Sequence, residues 1–264
     1  MDFVLLIKAV ILGIVEGLTE FLPVSSTGHL IIAGEWLDFT GERAATFEVF
    51  IQLGAILGVM WLYRVKIASV IRGLDAPPAR RFATNLIVAF IPAAIAGFLL
   101  HGYIKTYLFN PLIVAWALIL GGLAMLAIER LAPKPRVHDV DSLSTGDAFK
   151  VGMAQVLSLI PGVSRAGATI MGGLATGLSR TAATEFSFFL AMPTMFAATL
   201  FDLYKSQEFL RLSDTPLFAV GFVTSFISAL VVVKLFLSYI AHHPFALFAW
   251  YRIVFGAMLL AFML

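Results

Sequence analysis

The sequence predicts an all-α integral membrane protein. Hydrophobic residues make up 60% of the 264 positions and charged residues only 13%, an apolar share well above that of soluble domains. Six apolar stretches are each long enough to cross a bilayer as a helix, and prolines or basic residues mark their ends. These stretches cover residues 45–63, 82–100, 111–128, 182–201, 216–240 and 244–264.

Charge and cysteine content exclude several classes of function. The net charge of +2 is too small to indicate a nucleic-acid-binding protein. The apolar composition makes membrane lipids the expected surroundings. The chain has no cysteine, which excludes a disulfide framework and cysteine-ligated metal. The first apolar run carries Glu16 and Glu20 and lacks a small-residue cleavage site. We therefore interpret this run as part of the mature protein and not as a signal peptide.

The two halves of the chain resemble each other when one is shifted by 139 residues. The shift places Val24-Ser25 on Val163-Ser164, and Glu16 then lies opposite Gln155. Several glycines also coincide. Chance similarity between apolar segments is the alternative explanation, and the shared Val-Ser and glycine positions argue against it.

Each repeat is predicted to hold one re-entrant helical hairpin and three transmembrane helices. In the second copy, the segment before the chain break is short for a crossing of ~30 Å, so we expect it to enter and leave on one side. Three crossings per repeat give the copies opposite orientations, an arrangement that commonly builds a binding site near the midplane. Whether residues 3–22 cross the membrane fully is left open. The predicted organisation is a single membrane domain at 1–264, with a first repeat at 1–130, a linker at 131–147 and a second inverted repeat at 148–264.

Basic residues cluster in two loops that lie on the same face by the parity of the spans. Five of them fall within residues 64–81 and four within residues 129–150. Because cytoplasmic loops are rich in Lys and Arg, this face is predicted to be cytoplasmic.

A first polar turn interrupts the apolar chain at residues 16–29, which read EGLTEFLPVSSTGH. Ionisable groups at membrane depth are costly, so such a turn indicates a functional site. Glu16 and Glu20 are four residues apart and share one helix face. Two acids there could hold a divalent cation, act as general acid or base, or pair with a basic residue.

Hydroxyl residues follow the acids of this turn. Pro23 ends the first helix, and Ser25, Ser26 and Thr27 stand at the start of the next one. The free N–H groups and positive dipole end of a helix N-terminus suit a phosphate, although capping alone also explains these hydroxyls. His29, one helical turn after Ser26, is a candidate proton carrier or nucleophile near neutral pH.

A second polar turn at residues 158–169 repeats the design. Ser164 can cap the following helix, and Arg165 adds a permanently charged two-pronged donor for phosphate oxygens. Thr169 lies one helical turn later and is a further candidate phosphate ligand. The alternative is that Arg165 forms an internal ion pair with one of the two acids of the first turn.

Two polar residues on a predicted spanning helix are candidates to line the same cavity. Glu48 and Gln52 repeat the four-residue spacing of the acid pair. A role in helix packing explains them equally well.

The two turns together resemble the signatures of a known family. Residues 16–29 and the stretch PGVSRAGAT at 161–169 are similar to the motifs of the bacterial undecaprenyl-diphosphate phosphatases, the bacitracin-resistance family. Segments around Glu48 and Glu185 also resemble family segments, and the match covers essentially the whole chain. Ala166 stands where many members have a second Ser, so a catalytic hydroxyl at that position is absent here.

The resemblance implies a hydrolase that converts undecaprenyl diphosphate to the monophosphate carrier lipid of peptidoglycan synthesis. Bacitracin binds this substrate, so more enzyme means more resistance. The resemblance also implies a divalent cation, Mg²⁺ or Ca²⁺, and a site open to the outer face of the bacterial cytoplasmic membrane.

The site residues that we expect fall into three sets. The expected catalytic residues are Glu16, Glu20, Ser26, His29 and Arg165, with Glu16 and Glu20 also holding the metal. The expected phosphate ligands are Ser25, Ser26, Thr27, Ser164, Arg165 and Thr169. Direct attack by water and a covalent intermediate on Ser26 or His29 both stay open.

A transporter or flippase for a polyprenyl phosphate lipid is the rival function, because inverted repeats with broken helices are a transporter architecture. The sequence leaves the oligomeric state open, including a homo-oligomer.

Overall fold

The computed structural model describes residues 3–205 and 214–263, and in this part of the chain there are eleven α-helices. Six of them, α3, α5, α6, α9, α10 and α11, are long and apolar enough to cross a membrane. They coincide with the six predicted stretches, apart from residue 264, which lies outside the described residues. The predicted all-α membrane class is confirmed. The helices are α1 (Phe3–Thr19), α2 (Ser26–Trp36), α3 (Glu42–Leu62), α4 (Arg64–Arg72), α5 (Pro77–Tyr103), α6 (Pro111–Leu131), α7 (Thr145–Val156), α8 (Arg165–Ala175), α9 (Arg180–Lys205), α10 (Thr215–Ile240) and α11 (Ala246–Met263).

Two helical hairpins occupy the positions of the two polar turns. The pair α1 and α2 has 17 and 11 residues, and the pair α7 and α8 has 12 and 11. At about 1.5 Å per residue, none of these four helices reaches the ~30 Å of a bilayer core. Each pair therefore has the dimensions of a re-entrant hairpin.

Hydrogen bonds close the base of each hairpin. In the first, Lys8 Nζ of α1 donates to the Asp38 carbonyl oxygen beyond the end of α2, at 3.1 Å. In the second, Arg136 Nη2 donates to the Thr176 carbonyl oxygen at 3.0 Å, and the Arg136 N–H donates to the Gly177 carbonyl oxygen at 2.8 Å. The two ends of each hairpin therefore lie side by side.

The backbone repeats at the spacing found in the sequence. Ser25 and Ser164 are non-glycine residues with φ of 71° and 74°, and they lie 139 positions apart. The same spacing separates Asp38 and Gly177, which have φ of 48° and 88° where α2 and α8 end. These matches support the internal repeat. That the two copies have opposite orientations stays a prediction.

Each hairpin packs on a spanning helix of the other half of the chain. Helix α1 lies along α10, and α7 lies along α5. Glycines make these contacts close, because a Cβ on Gly17 would collide with the Ser225 carbonyl and one on Gly152 with the Ala89 carbonyl. This exchanged packing brings the two hairpin turns together in the centre of the molecule.

Two local features differ from the sequence interpretation. Helix α7 begins at Thr145, inside the predicted linker, because the Ser144 Oγ accepts a hydrogen bond from the Asp147 N–H at 3.1 Å and caps the helix. The basic loop at 64–81 also contains the short helix α4, which the sequence analysis did not predict.

Cysteine labelling tests this topology, since the chain has no native cysteine. Because both ends of the first hairpin lie together, Phe3→Cys and Glu42→Cys should react with a membrane-impermeant thiol reagent from the outer face. Asp75→Cys and Lys134→Cys, in the two basic loops, should react only from the cytoplasmic face. Labelling of Phe3→Cys and Asp75→Cys from one side would mean that α1 crosses the membrane and that the first hairpin is not re-entrant.

Candidate active site

A cavity of ≈ 180 Å³ lies where the two hairpin turns meet. Helices α3 and α9 form its remaining walls. Seven of the residues predicted from the sequence line it, and these are Glu20, Ser25, Ser26, Thr27, Gln52, Ser164 and Arg165. The exchanged packing of the hairpins thus builds one shared polar cavity from two turns that are far apart in sequence.

The first turn presents its side chains through an unusual backbone conformation. The Glu20 N–H still donates to the Glu16 carbonyl oxygen at 2.9 Å, so the helical path continues just past α1. Ser25 then adopts φ 71° and ψ 96°, which for a non-glycine residue costs about 1–3 kcal/mol. Its side chain makes no capping hydrogen bond to α2, so the alternative explanation by capping does not hold for this hydroxyl. Ser164 keeps the expected role, since its Oγ accepts from the Gly167 N–H at 3.0 Å.

A chain of polar contacts joins the two turns across the cavity. Ser26 Oγ donates a hydrogen bond to Glu20 Oε2. The other oxygen of this carboxylate, Oε1, accepts from Arg165 Nη2 at 3.2 Å. The side chains of Arg165 and Glu20 are only 10% and 6% exposed, so water screens this charge pair little. The internal ion pair that the sequence left as an alternative is therefore present, and its carboxylate also accepts from a serine.

Arg165 is held from several sides. Nη1 donates to the carbonyl oxygen and to the Oγ of Ser187 at 3.2 and 3.3 Å, and Nη2 lies 3.2 Å from the Met195 sulfur. The guanidinium carbon lies 5.3 Å from the centre of the Phe21 ring. Its Nε is buried without a hydrogen-bond partner. The guanidinium is thus oriented at the cavity wall while one donor is left unused.

Thr169 supports Arg165 from behind and lies outside the cavity lining. It is fully buried, and its Oγ1 lies 2.7 Å from Ser187 Oγ and donates to the Arg165 carbonyl oxygen at 2.8 Å. Contact between Thr169 and a phosphate, as the sequence suggested, is not part of this geometry.

The acid pair offers two carboxylates to a cation. Glu16 is 1% exposed, and both of its carboxylate oxygens are buried without a hydrogen-bond partner. An unpaired buried carboxylate fits a site that binds a cation. Within the described residues, no cluster of three or more His, Asp or Glu side chains has metal-binding geometry. Glu20 lines the cavity, whereas Glu16, one helical turn earlier, lies outside the lining. A cation held by these two acids would take its other ligands from phosphate oxygens and water, as Mg²⁺ often does.

His29 lies outside the cavity lining, with both ring nitrogens in hydrogen bonds. Nδ1 is 2.8 Å from the Ser25 carbonyl oxygen, and Nε2 is 2.6 Å from the Tyr251 hydroxyl. The ring also stacks on Phe255, with centroids 4.4 Å apart. This arrangement supports the strained backbone at Ser25 and leaves neither nitrogen directed at the cavity. Glu48 likewise lies outside the lining.

Several residues of the site were missed by the sequence analysis. Ser158, Thr194 and Met195 line the cavity, and Ser187 orients Arg165. Ser187 and Thr194 are seven residues apart on α9, so they lie on one helix face, and this spacing was a usable signal. Gln155, the counterpart of Glu16, donates to Thr194 Oγ1 at 3.3 Å.

Comparison with known sequences identifies the family of this chain. The sequence model of one family, described as Bacitracin resistance protein BacA, matches residues 9–258. The chain belongs to the BacA family. The chain is 57% identical over 260 residues to an undecaprenyl-diphosphatase of Nitrosomonas eutropha, covering 98% of this chain and 95% of that protein. It is 54% identical over 262 residues to proteins of the same name from Aromatoleum aromaticum, covering 99% of this chain and 96% of the relative, and from Pseudomonas putida, covering 99% and 95%. The family resemblance seen in the two turns is confirmed.

The position of His29 predicts a supporting role in this BacA family member. His29→Phe keeps the stacking on Phe255 but removes both hydrogen bonds. We expect turnover to fall by no more than about tenfold, the effect of losing a hydrogen bond, with the shape of the pH–rate profile unchanged. Tyr251→Phe, which removes only the phenolic hydroxyl, is the matched control. A loss of 10²-fold or more, together with the disappearance of one limb of the pH profile, would instead make His29 a proton carrier.

Proposed function

We propose that this protein hydrolyses undecaprenyl diphosphate to undecaprenyl phosphate and inorganic phosphate, and so recycles the carrier lipid for peptidoglycan synthesis. Relatives that carry the name undecaprenyl-diphosphatase match 98% or more of the chain. The observation that carries the proposal is the Ser26–Glu20–Arg165 chain, which places a hydroxyl, a proton acceptor and a phosphate-binding cation around one cavity. Bacitracin binds the diphosphate substrate, so the activity also confers resistance to it.

The diphosphate head group occupies the polar cavity, and the prenyl chain extends between helices into the bilayer. Arg165 binds phosphate oxygens through donors that Ser187 and Glu20 hold in place. The N-termini of α2 and α8, where Ser25 to Thr27 and Ser164 lie, both face this cavity and add their positive dipole ends.

The contact between Ser26 and Glu20 supports a covalent route. Ser26 Oγ attacks the terminal phosphorus while Glu20 takes the hydroxyl proton, the arrangement of an activated nucleophile and its base. The bond between phosphorus and the bridging oxygen breaks, and undecaprenyl phosphate leaves with the proton that Glu20 had taken. Water then hydrolyses the phosphoserine with Glu20 again as the base. His29 is a weaker candidate nucleophile, because both of its nitrogens are engaged outside the cavity lining.

Charge stabilisation is the main catalytic task in phosphoryl transfer. Arg165 neutralises negative charge on the transferring group and on the leaving phosphate. Glu16 and Glu20 would hold a divalent cation, Mg²⁺ or Ca²⁺, which when bound adds positive charge beside the phosphate oxygens. The lone buried carboxylate of Glu16 is the observation that supports this metal site.

The site is proposed to open at the outer face of the bacterial cytoplasmic membrane. Thr194, Met195 and Ala198 line the cavity, and they lie in the second half of α9. This helix begins next to the loops that are rich in basic residues and predicted to be cytoplasmic. Its second half therefore lies toward the outer face.

Phosphate release in detergent tests the function directly. Purified protein should release inorganic phosphate from a prenyl diphosphate, lose that activity in a chelator, and regain it with Mg²⁺ or Ca²⁺. A flippase, the rival function, would move a polyprenyl phosphate lipid across vesicles and release no phosphate. Binding of the lipid without phosphate release under any metal condition would overturn the proposed hydrolysis.

Glu20→Gln removes the proton acceptor of Ser26 at almost constant volume. We expect turnover to fall by roughly 10² to 10⁴-fold, the usual contribution of a general base. Glu16→Gln should be milder, because its counterpart in the other repeat is already an amide, Gln155. Glu35→Gln, an exposed acid on α2, is the control and should leave turnover unchanged.

Rapid quenching of the reaction with labelled substrate tests the covalent route. Labelled phosphate should appear on Ser26 of the wild-type protein and be absent from Ser26→Ala. Turnover without protein-bound phosphate at any quench time would favour direct attack by water, with Glu20 as its base.

Arg165→Lys keeps the positive charge but loses the planar two-pronged donor. The donors of lysine share one nitrogen and cannot replace the two nitrogens that separately contact Ser187 and Glu20, so we expect turnover to fall by roughly 10³-fold or more. The variant should stay monodisperse in size-exclusion chromatography. Arg180→Lys, at a more exposed ion pair with Glu129, is the matched control and should behave as wild type. Near-normal turnover of Arg165→Lys would mean that simple charge attraction is sufficient.

A further inference from the structure

Arg252 on α11 is a buried arginine that neither signature contains. It is 1% exposed, and none of the ion pairs among the described residues involves it. Its guanidinium donates only to backbone carbonyl oxygens. The acceptors are Pro23 at 3.3 Å, Val163 at 2.8 Å, Gly162 at 3.0 Å, Ala117 at 3.1 Å and Leu118 at 3.4 Å.

These carbonyls come from both chain breaks and from α6, the last helix of the first repeat. Pro23 belongs to the first turn, Gly162 and Val163 belong to the second, and the other two acceptors lie on α6. Where a helix breaks inside a membrane, its carbonyls lose their helical partners and no water replaces them. Arginine has five N–H donors in a rigid plane, so one side chain can serve both breaks.

Glycines make room for this guanidinium. A Cβ on Gly121 of α6 would collide with Arg252 Nη2, the atom that donates to Ala117 and Gly162. The neighbouring Gly122 instead faces the Ala249 carbonyl and Ile253 on α11, so it serves helix packing. Gly121 therefore makes space for the guanidinium, whereas its neighbour Gly122 makes space for the contact between α6 and α11.

We propose that Arg252 is a positioning residue that holds the two hairpin turns in register. Its acceptors precede the reacting groups closely, since Pro23 is three residues before Ser26 and Val163 is two residues before Arg165. Arg252 itself lies outside the cavity lining, so it acts through the turns and does not touch the substrate. This inference rests on the proposed phosphatase function for its kinetic consequences, but its geometric consequence is independent of activity.

The kinetic test compares Arg252→Met and Arg252→Lys with the wild type. Methionine fills similar space without donors, and lysine has a single point of donation that cannot reach both turns. We expect kcat per folded molecule to fall by roughly 10²-fold, the cost of about 1 Å of misplacement, while KM changes by less than about threefold. A merely structural role would lower the melting temperature and leave kcat per folded molecule unchanged, and that result would overturn the inference.

A double-mutant cycle makes the test specific to the guanidinium. Gly121→Ala should lower kcat in the wild-type background, because its Cβ displaces Nη2, but should have little further effect in Arg252→Met. Gly122→Ala should reduce the melting temperature in both backgrounds by similar amounts. Independent, multiplying effects of Gly121→Ala and Arg252→Met on kcat would contradict the inference. Gly121→Ala alone also tests it if Arg252→Met fails to fold.

The last measurement needs no activity. Thr27→Cys and Ser158→Cys place one thiol in each turn on the cavity wall, and the chain has no other cysteine. Bifunctional thiol reagents of graded length should cross-link this pair at one preferred length when Arg252 is present. In Arg252→Met, several lengths should react equally well. A preferred length that Arg252→Met does not change would overturn the inference even if the protein hydrolyses prenyl diphosphates. A broadened length range in a protein that releases no phosphate would overturn only the proposed function.

Discussion

Both chain breaks must satisfy their backbone groups within the protein, because a bilayer supplies no water to exposed carbonyls. Arg252 meets this constraint for the two turns at once, with donors to Pro23, Gly162 and Val163. The same contacts bring the turns to a common centre, so the cavity, the hydroxyls of α2 and the guanidinium of Arg165 depend on them. The glycines along α1 and α7 serve the same end, since they let each hairpin lie directly on a helix of the other half.

Buried charge distinguishes this centre from an ordinary contact between helices. An arginine and a glutamate in a low-dielectric interior cost desolvation energy that their mutual attraction repays only with good geometry and further hydrogen bonds. Arg165 has Glu20, Ser187 and the Phe21 ring, yet one of its donors remains unused. In the proposed function, the diphosphate group supplies further acceptors to this guanidinium. The carboxylate of Glu16 has no hydrogen-bond partner, so it requires a positive charge nearby and suits a cation.

The two hairpins share a backbone design but divide the chemistry between them. Both place a serine with positive φ before a helix, and both end that helix with a second positive φ. In the second hairpin, Ser164 caps α8, and the following residue, Arg165, carries the positive charge. In the first, Ser25 leaves α2 without a side-chain cap, and the acids and Ser26 are gathered there. A repeated scaffold with one basic and one acidic turn thus assembles a site that neither copy could form alone.

The sequence by itself determined the membrane class, the six spans and half of the residues that line the cavity, and it indicated the repeat, because hydrophobic length and chain-breaking residues act locally. Glu20, Ser26 and Arg165 could be found because charges and hydroxyls are costly in an apolar segment, wherever the chain goes. The displacement of His29 and Thr169 from the cavity, and the role of Arg252, were decided only by the tertiary structure. The direction in which a side chain points, and the carbonyls that it reaches, depend on helices that are more than a hundred residues apart in sequence. No local pattern records such contacts, and so Arg252 reads in sequence as one more basic residue in a spanning helix.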